Sequence, residues 1–304
     1  MIVCCVLTLR DVDVGAFDFS AVAKNIGHPL PFVLGDEVFN ELAVEIDFQH
    51  RRIAFRDPAT VTKPAGASEV PLIRIKDRTV PVSIDGATPV PFEFDLGDGS
   101  PLDVAPSYYQ ARQLLNGRRT SQTVAGGVGG YRPETVASLR DVGFAGVDFA
   151  DVPANFTADV ASADNSNLIM GTIGLPMLAR FRLIVDYSHD RLFATPTADA
   201  SNAPFSRDRL GLYLDRKGAV LVVGFVAPGS PAKTAGFKIG DVIARIDNVR
   251  SGEKPIDLNQ IDQPSTSAWS ETTFRALRDE PVGTVVTFTL ANGSKKRVEL
   301  ADFY

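Results

Sequence analysis

An aspartate that ends an apolar run and is followed by any residue and then glycine is a carboxylate held on a tight turn at the rim of a folded unit. Residues Phe92-Glu93-Phe94-Asp95-Leu96-Gly97 have that form. Gly97 supplies the backbone freedom and close approach that the turn needs. A carboxylate on such a rim can exchange a proton with whatever meets it. The same tripeptide is common at plain surface turns, so its surroundings must decide. Downstream stand a glycine-rich stretch, Gly126-Gly127-Val128-Gly129-Gly130-Tyr131, and the run Leu168-Ile169-Met170-Gly171-Thr172-Ile173-Gly174-Leu175-Pro176-Met177-Leu178.

The elements that would position Asp95 belong to a repeated segment. Residues 34–55 (LGDEVFNELAVEIDFQHRRIAF) align without a gap on residues 173–194 (IGLPMLARFRLIVDYSHDRLFA), an offset of 139. Gly35 falls on Gly174, Asp47 on Asp186, His50 on His189 and Arg52 on Arg191. Upstream, Leu9-Arg10-Asp11-Val12 falls on Leu139-Arg140-Asp141-Val142. A duplicated lobe with chemistry at its seam is one of few architectures that need such a repeat. Strand-like runs cover 2–9, 42–48, 52–55, 72–75, 79–84 and 90–94, with Asp85-Gly86 as a hairpin dipeptide and a helix expected over 107–115. Residues 57–69 and 198–206 read as linkers.

The order Asp-X-Gly, glycine-rich hairpin, apolar-apolar-Gly, then a strand carrying Asp186-Tyr187, resembles one lobe of an aspartic protease of the pepsin and retropepsin type. The resemblance covers residues 1–197. It implies a partial first lobe over about 1–60 and a complete second lobe over about 70–197, with Gly126–Tyr131 as a flap over a polypeptide substrate. Two Asp-X-Gly carboxylates would then face each other and share one proton, because like charges ~3 Å apart cannot both ionise. Asp95 maps onto one of the pair. It lies 44 residues before Leu139, whose repeat partner is Leu9, so its own partner falls at position −35, upstream of Met1. An incomplete chain would account for this, as would two chains bringing their Asp95 residues together in a homodimer. The family usually has Thr or Ser where Leu96 stands, and Leu96 cannot make that residue's hydrogen bond.

The C-terminal part, 207–304, has no counterpart in the repeat. Its run Val226-Ala227-Pro228-Gly229-Ser230-Pro231-Ala232-Lys233-Thr234-Ala235-Gly236-Phe237-Lys238-Ile239-Gly240-Asp241-Val242 resembles a PDZ domain of the kind attached to bacterial proteases. Such domains add a peptide to a sheet edge as an extra strand and take its terminal carboxylate on backbone N–H groups. The resemblance puts that loop at Leu210-Gly211-Leu212-Tyr213, and a helix carrying Phe274 and Leu277 beside the groove. The partners implied are a polypeptide substrate and peptide C-termini.

The whole chain is expected to be mostly β. Its 304 residues, 44% hydrophobic and 22% charged, suit a globular protein with two or three cores. A net charge of −6 and a pI near 5.2 argue against nucleic acid as the main partner. No apolar stretch approaches the ~20 residues of a membrane helix. Cys4 and Cys5 are adjacent and imply no disulfide framework. His28, His50 and His189 are scattered, and the last two fall in equivalent turns, which suits a structural role. Asp95, Asp98 and Asp103 imitate a calcium loop, but their spacing does not match an EF-hand. No cofactor or metal is called for. The family resemblance leans toward the bacterial envelope, though no segment of the chain states a compartment.

Overall fold

The computed structural model describes residues 2–4, 7–9, 15–16, 18–19, 23, 29–31, 33, 35–127, 130–158, 168–217, 220–248, 256–257 and 280–304. The fold is mostly β. In chain order the first copy holds β1 (Ile2–Cys4), β2 (Leu7–Leu9), α1 (Glu37–Glu41), β3 (Ala43–Asp47) and β4 (Arg52–Arg56). Next come β5 (Ser68–Pro71), β6 (Ile73–Arg74), β7 (Arg78–Ile84), β8 (Val90–Phe94), β9 (Leu102–Val104) and α2 (Pro106–Ala111). Then follow β10 (Thr120–Gly127), β11 (Gly130–Phe144), β12 (Val147–Phe156), β13 (Gly171–Ile173), α3 (Leu175–Leu178), β14 (Phe181–Asp186) and β15 (Arg191–Pro196). The C-terminal part has β16 (Leu212–Lys217), β17 (Val220–Val226), α4 (Pro231–Thr234), β18 (Val242–Asn248), β19 (Ile256–Asp257), β20 (Val285–Leu290) and β21 (Lys295–Glu299).

The repeat explains how the first sheet is built. Hairpins β3–β4 and β14–β15 lie side by side in an antiparallel sheet of order β4-β3-β14-β15-β5. At the junction Ile46 stands opposite Leu183, Glu45 opposite Ile184 and Val44 opposite Val185. Glu45 and Ile184 are the same position in the two copies, and the flanking pairs exchange roles. That register arises when like strands meet about a local two-fold axis. Each hairpin closes on the same clamp, His50 Nδ1 to Asp47 at 2.9 Å in one copy and His189 Nδ1 to Asp186 at 2.9 Å in the other. Across the junction Arg182 Nε donates to Glu45 Oε1 at 2.7 Å, and Arg56 holds the other oxygen. Burial works to raise the pKa of Glu45, but the two guanidiniums outweigh it and hold the group below the usual carboxylate range.

The two halves of this sheet are covered unequally. On the second-copy half Leu192 and Ala194 are fully buried. Their repeat equivalents Ile53 and Phe55 point from the same face and are 65% and 47% exposed. The core beneath the sheet, with Phe92, Phe156, Phe181, Leu139 and Ile173, takes in Val38, Val44 and Ile46 of the first copy but stops short of Ile53 and Phe55.

That core is enclosed by an eight-stranded sheet of order β10-β11-β12-β9-β13-β8-β7-β6, in which β11 also pairs with β7. Along β8, Phe92 and Phe94 turn inward and Glu93 outward, the period of two expected of a strand with one buried face. Asp85 and Gly86 both have positive φ, 51° and 71°, but strand pairing stops at Val82–Val90, so the connection is longer than a two-residue hairpin. The helix expected over 107–115 ends at Ala111 because Gln113 turns left-handed at φ 51°. β1 and β2 pair antiparallel, with Cys4 opposite Leu7, where the sequence suggested one strand.

The C-terminal sheet has the order β16-β17-β18-β20-β21, with β19 against β18, and its own core in which Phe237 meets Phe288 edge-on at 5.2 Å. Residues 198–206 are strapped down rather than loose. Phe205 is buried under Arg180, whose guanidinium lies 3.5 Å from the ring centre and bonds to the carbonyls of Ala200 and Ala203. The C-terminal part touches β10 directly, through Ser121 Oγ donating to Pro228 O at 2.7 Å and Arg119 Nη1 to Asp302 O at 2.8 Å.

Candidate functional site

Asp95 follows the last residue of β8. Its N–H donates to Ile173 O at 3.2 Å, tying it to β13. Its Oδ1 accepts from Gly97 N at 2.7 Å, which closes the turn. A Cβ at residue 97 would stand 3.1 Å from that same oxygen. Leu96 turns away and packs on the core, so it makes no link across the seam. The loop is held from below by Leu175 N to Asp98 O at 2.9 Å and Gly174 N to Pro101 O at 3.2 Å. Here β13 comes so near that a Cβ on Gly174 would lie 2.1 Å from Ser100 O.

Asp95 is half-buried. Tyr187, at the end of β14, stacks on Phe39 of α1 at 5.2 Å and carries Arg78 over its ring at 4.6 Å. Burial raises the pKa of Tyr187, and Asp36 and Asp95 raise it further against the pull of Arg78. Carboxylates from both copies therefore act on one phenol.

Beside Asp95, on the outer face of the sheet, lies a row of polar residues in register across four strands. Glu93 is opposite Thr172, Thr172 opposite Asp103, and Asp103 opposite Asn155. Asn155 Nδ2 donates to Asp103 Oδ1 at 2.9 Å and to Ser100 Oγ at 2.7 Å, and Ser100 N donates to Asp98 Oδ1 at 2.8 Å. Burial, aided by Asp98 and Glu134, pushes Asp103 up to about 7. Burial likewise raises Asp98 and Glu93, each with help from Asp95. Among the described residues no three His, Cys, Asp or Glu side chains form a metal-holding group. A recess of ≈ 230 Å³ opens here, lined by Glu93, Thr172, Asp103, Thr157 and Arg132.

The glycine-rich stretch forms the end of the β10–β11 hairpin, with Gly126 opposite Tyr131 and Gly127 opposite Gly130. Val128 and Gly129 lie outside the described residues. Arg132, just past it, lines the recess together with Glu93, so the base of this hairpin and β8 border one space.

In the C-terminal part Gly211 has φ 78°, and a Cβ there would meet Ser230 Cβ at 2.2 Å. The N–H groups of Leu210 and Gly211 both donate to Asp208 Oδ1, each at 2.9 Å. Two of the amides expected to receive an incoming carboxylate thus already hold an internal one. Leu212 and Tyr213 begin β16, whose outer side is a sheet edge. Phe274 and Leu277 lie outside the described residues.

Sequence reasoning missed Tyr187, Asp36, Glu93 and Asp208 as parts of these sites. Glu93 had a legible signal, since it stands two residues before Asp95 on one strand and so shares its face. Asp208 had none, because Asp near a loop start is common.

No family model matches the chain, and no curated protein does. Among solved structures it is similar to a retropepsin-like aspartic protease from Rickettsia conorii, at 16% identity and a TM-score of 0.32, over 44% of this chain and 92% of that one. It is also similar to an HtrA-type protease, an AlgW variant with decapeptide, at 11% identity and a TM-score of 0.27, over 94% of this chain and 97% of that one. Likenesses this weak leave the chemistry to be read from the site.

Proposed function

We propose that this chain is part of an aspartic-type endopeptidase, with Asp95 as one of two carboxylates at a seam between lobes, and that residues 207–304 form a PDZ-type module that recruits polypeptide C-termini or regulates access. The partial lobe would span about 1–60 and the complete one about 70–197. The observation that carries the reading is the two-fold pairing of β3 with β14 about Glu45 and Ile184. A sister lobe, from a second copy or from sequence outside these residues, would cover Ile53 and Phe55 as the second lobe covers Leu192 and Ala194. It would also bring the second carboxylate. One member of the pair, ionised, takes a proton from water; the other, protonated, hydrogen-bonds the scissile carbonyl and protonates it as the water adds. Their titration belongs to the pair. Gly126–Tyr131 would cover the substrate, and the contacts of Ser121 and Arg119 with the C-terminal part give that module a route to the base of the flap.

Leu96 favours a second reading, a peptide-binding scaffold whose lobes no longer cut. The two are separated by cleavage of unfolded protein at acidic pH, with the chain alone and with it extended upstream. Cleavage by either form, lost in Asp95→Asn and blocked by a statine-type inhibitor, supports the peptidase. No cleavage by either form supports the scaffold. Sedimentation of the chain alone tests the homodimer, which a monomer at all concentrations rules out.

A further inference from the structure

We propose that the recess lined by Glu93, Thr172 and Asp103 is a subsite for a positively charged side chain, lysine or arginine, of a polypeptide lying beside Asp95. The inference rests on the reading of the Asp95 cleft as a peptidase site and adds its specificity.

The geometry begins with strand register. Glu93 and Asp103 flank Thr172 on adjacent strands, so their Cα atoms stand about 10 Å apart and their side chains leave the same face. A cationic head entering above Thr172 meets a carboxylate on either side. At ≈ 230 Å³ the recess falls below the roughly 300–1,000 Å³ of a pocket for a whole small ligand. It suits one long side chain. Glu93 precedes Asp95 by two residues, about 7 Å along the strand. An extended substrate advances at the same rise, so the side chain received here lies within two residues of the bond over Asp95.

The charge balance favours a cation. Arg132 at the rim is paired through Nε with Glu134 Oε1 at 2.8 Å. Glu134 is itself completely buried, and its second oxygen has no donor among the described residues. The cation that lines the recess is thus shared with a carboxylate that is still short of a partner. Asp103 accepts from Asn155, a neutral donor, while Asp98 and Glu134 press on it. Glu93 feels Asp77, Asp95 and Asp98 against Lys76. A guanidinium or ammonium group would relieve this crowding with charge-assisted hydrogen bonds.

The test compares two peptides identical except for arginine or its neutral near-isostere citrulline at one position, titrated calorimetrically into the full chain carrying Asp95→Asn so that nothing is cut. The arginine peptide should bind at least tenfold tighter, and Glu93→Gln together with Asp103→Asn should reduce the ratio to near one. Thermal melting of that double variant checks that it folds, and Glu93→Gln alone should lower the ratio if the pair does not. Equal affinity for both peptides on the folded parent overturns the subsite. In parallel, wild-type cleavage sites in unfolded protein are sequenced over a pH series that reaches neutrality, where Asp103, pushed up to about 7, becomes ionised. Cuts with no enrichment of Lys or Arg within two residues overturn the subsite and leave the peptidase standing. Arginine preference without any cleavage sinks the peptidase and leaves a cation-selective peptide groove.

Discussion

Replacing Gly174 by alanine tests whether the Asp95 loop is held by the close approach of β13. The new Cβ would stand 2.1 Å from Ser100 O and 2.9 Å from Asp98 O, both backbone atoms that cannot swing aside as a side chain could. Restoring ordinary contact needs roughly 1 Å of movement. That movement breaks or stretches Gly174 N to Pro101 O and Leu175 N to Asp98 O. Two hydrogen bonds at ~1 kcal/mol each and an overpacking cost of ~1–3 kcal/mol give a loss of about 3–5 kcal/mol. A domain of this kind has about 5–15 kcal/mol in all, so the shift is large. Gly99→Ala is the control, since its Cβ meets nothing within 4 Å in the same loop and should change stability by less than about 0.5 kcal/mol. Urea unfolding followed by circular dichroism reads both variants. If the chain is active, a 1 Å displacement of Asp95 should also cut kcat/KM about 100-fold in Gly174→Ala alone. A Gly174→Ala midpoint matching wild type, or an equal loss in Gly99→Ala, refutes the reasoning.

Other outcomes follow from the same structure. Glu45→Gln should destabilise the chain by about 1–3 kcal/mol at pH 7, since both arginines lose their partner while staying half exposed. The folded pKa of Glu45 lies below its unfolded value, so its contribution is present above about pH 4.5 and fades as pH falls through the folded pKa. Urea midpoints of wild type and variant should therefore converge as pH falls below about 4.5. Asp208→Ala should free the amides of Leu210 and Gly211 and tighten binding of a C-terminal peptide by up to about tenfold, read by fluorescence anisotropy; unchanged affinity would mean those amides do not receive the carboxylate. Ile53→Ser with Phe55→Ser should leave the unfolding midpoint of the chain alone within about 0.5 kcal/mol. The same pair should weaken any self-association seen by sedimentation by about 1.5–3 kcal/mol per side chain, the cost of losing apolar burial.

The β character was legible because alternation of apolar residues is a local signal, as in Phe92-Glu93-Phe94. The repeat also foretold a shared architecture, though not that β3 would meet β14 about Glu45 and Ile184. Local signals failed where a left-handed residue was not glycine, as at Gln113.

For the site, the sequence by itself determined that Asp95 ends an apolar strand on a glycine turn and that a glycine-rich hairpin follows. These are properties of neighbours along the chain. The tertiary structure alone decided that Glu93 and Asp103, ten residues apart, become flanking walls of one recess, because β13 threads between β8 and β9. It alone decided that Asp36 and Asp95 would both act on Tyr187, and that Asp208 would occupy the amides of Leu210 and Gly211. Strand order and loop packing are set by which buried faces fit together over long separations, and that information is spread across the whole chain rather than written at any one residue.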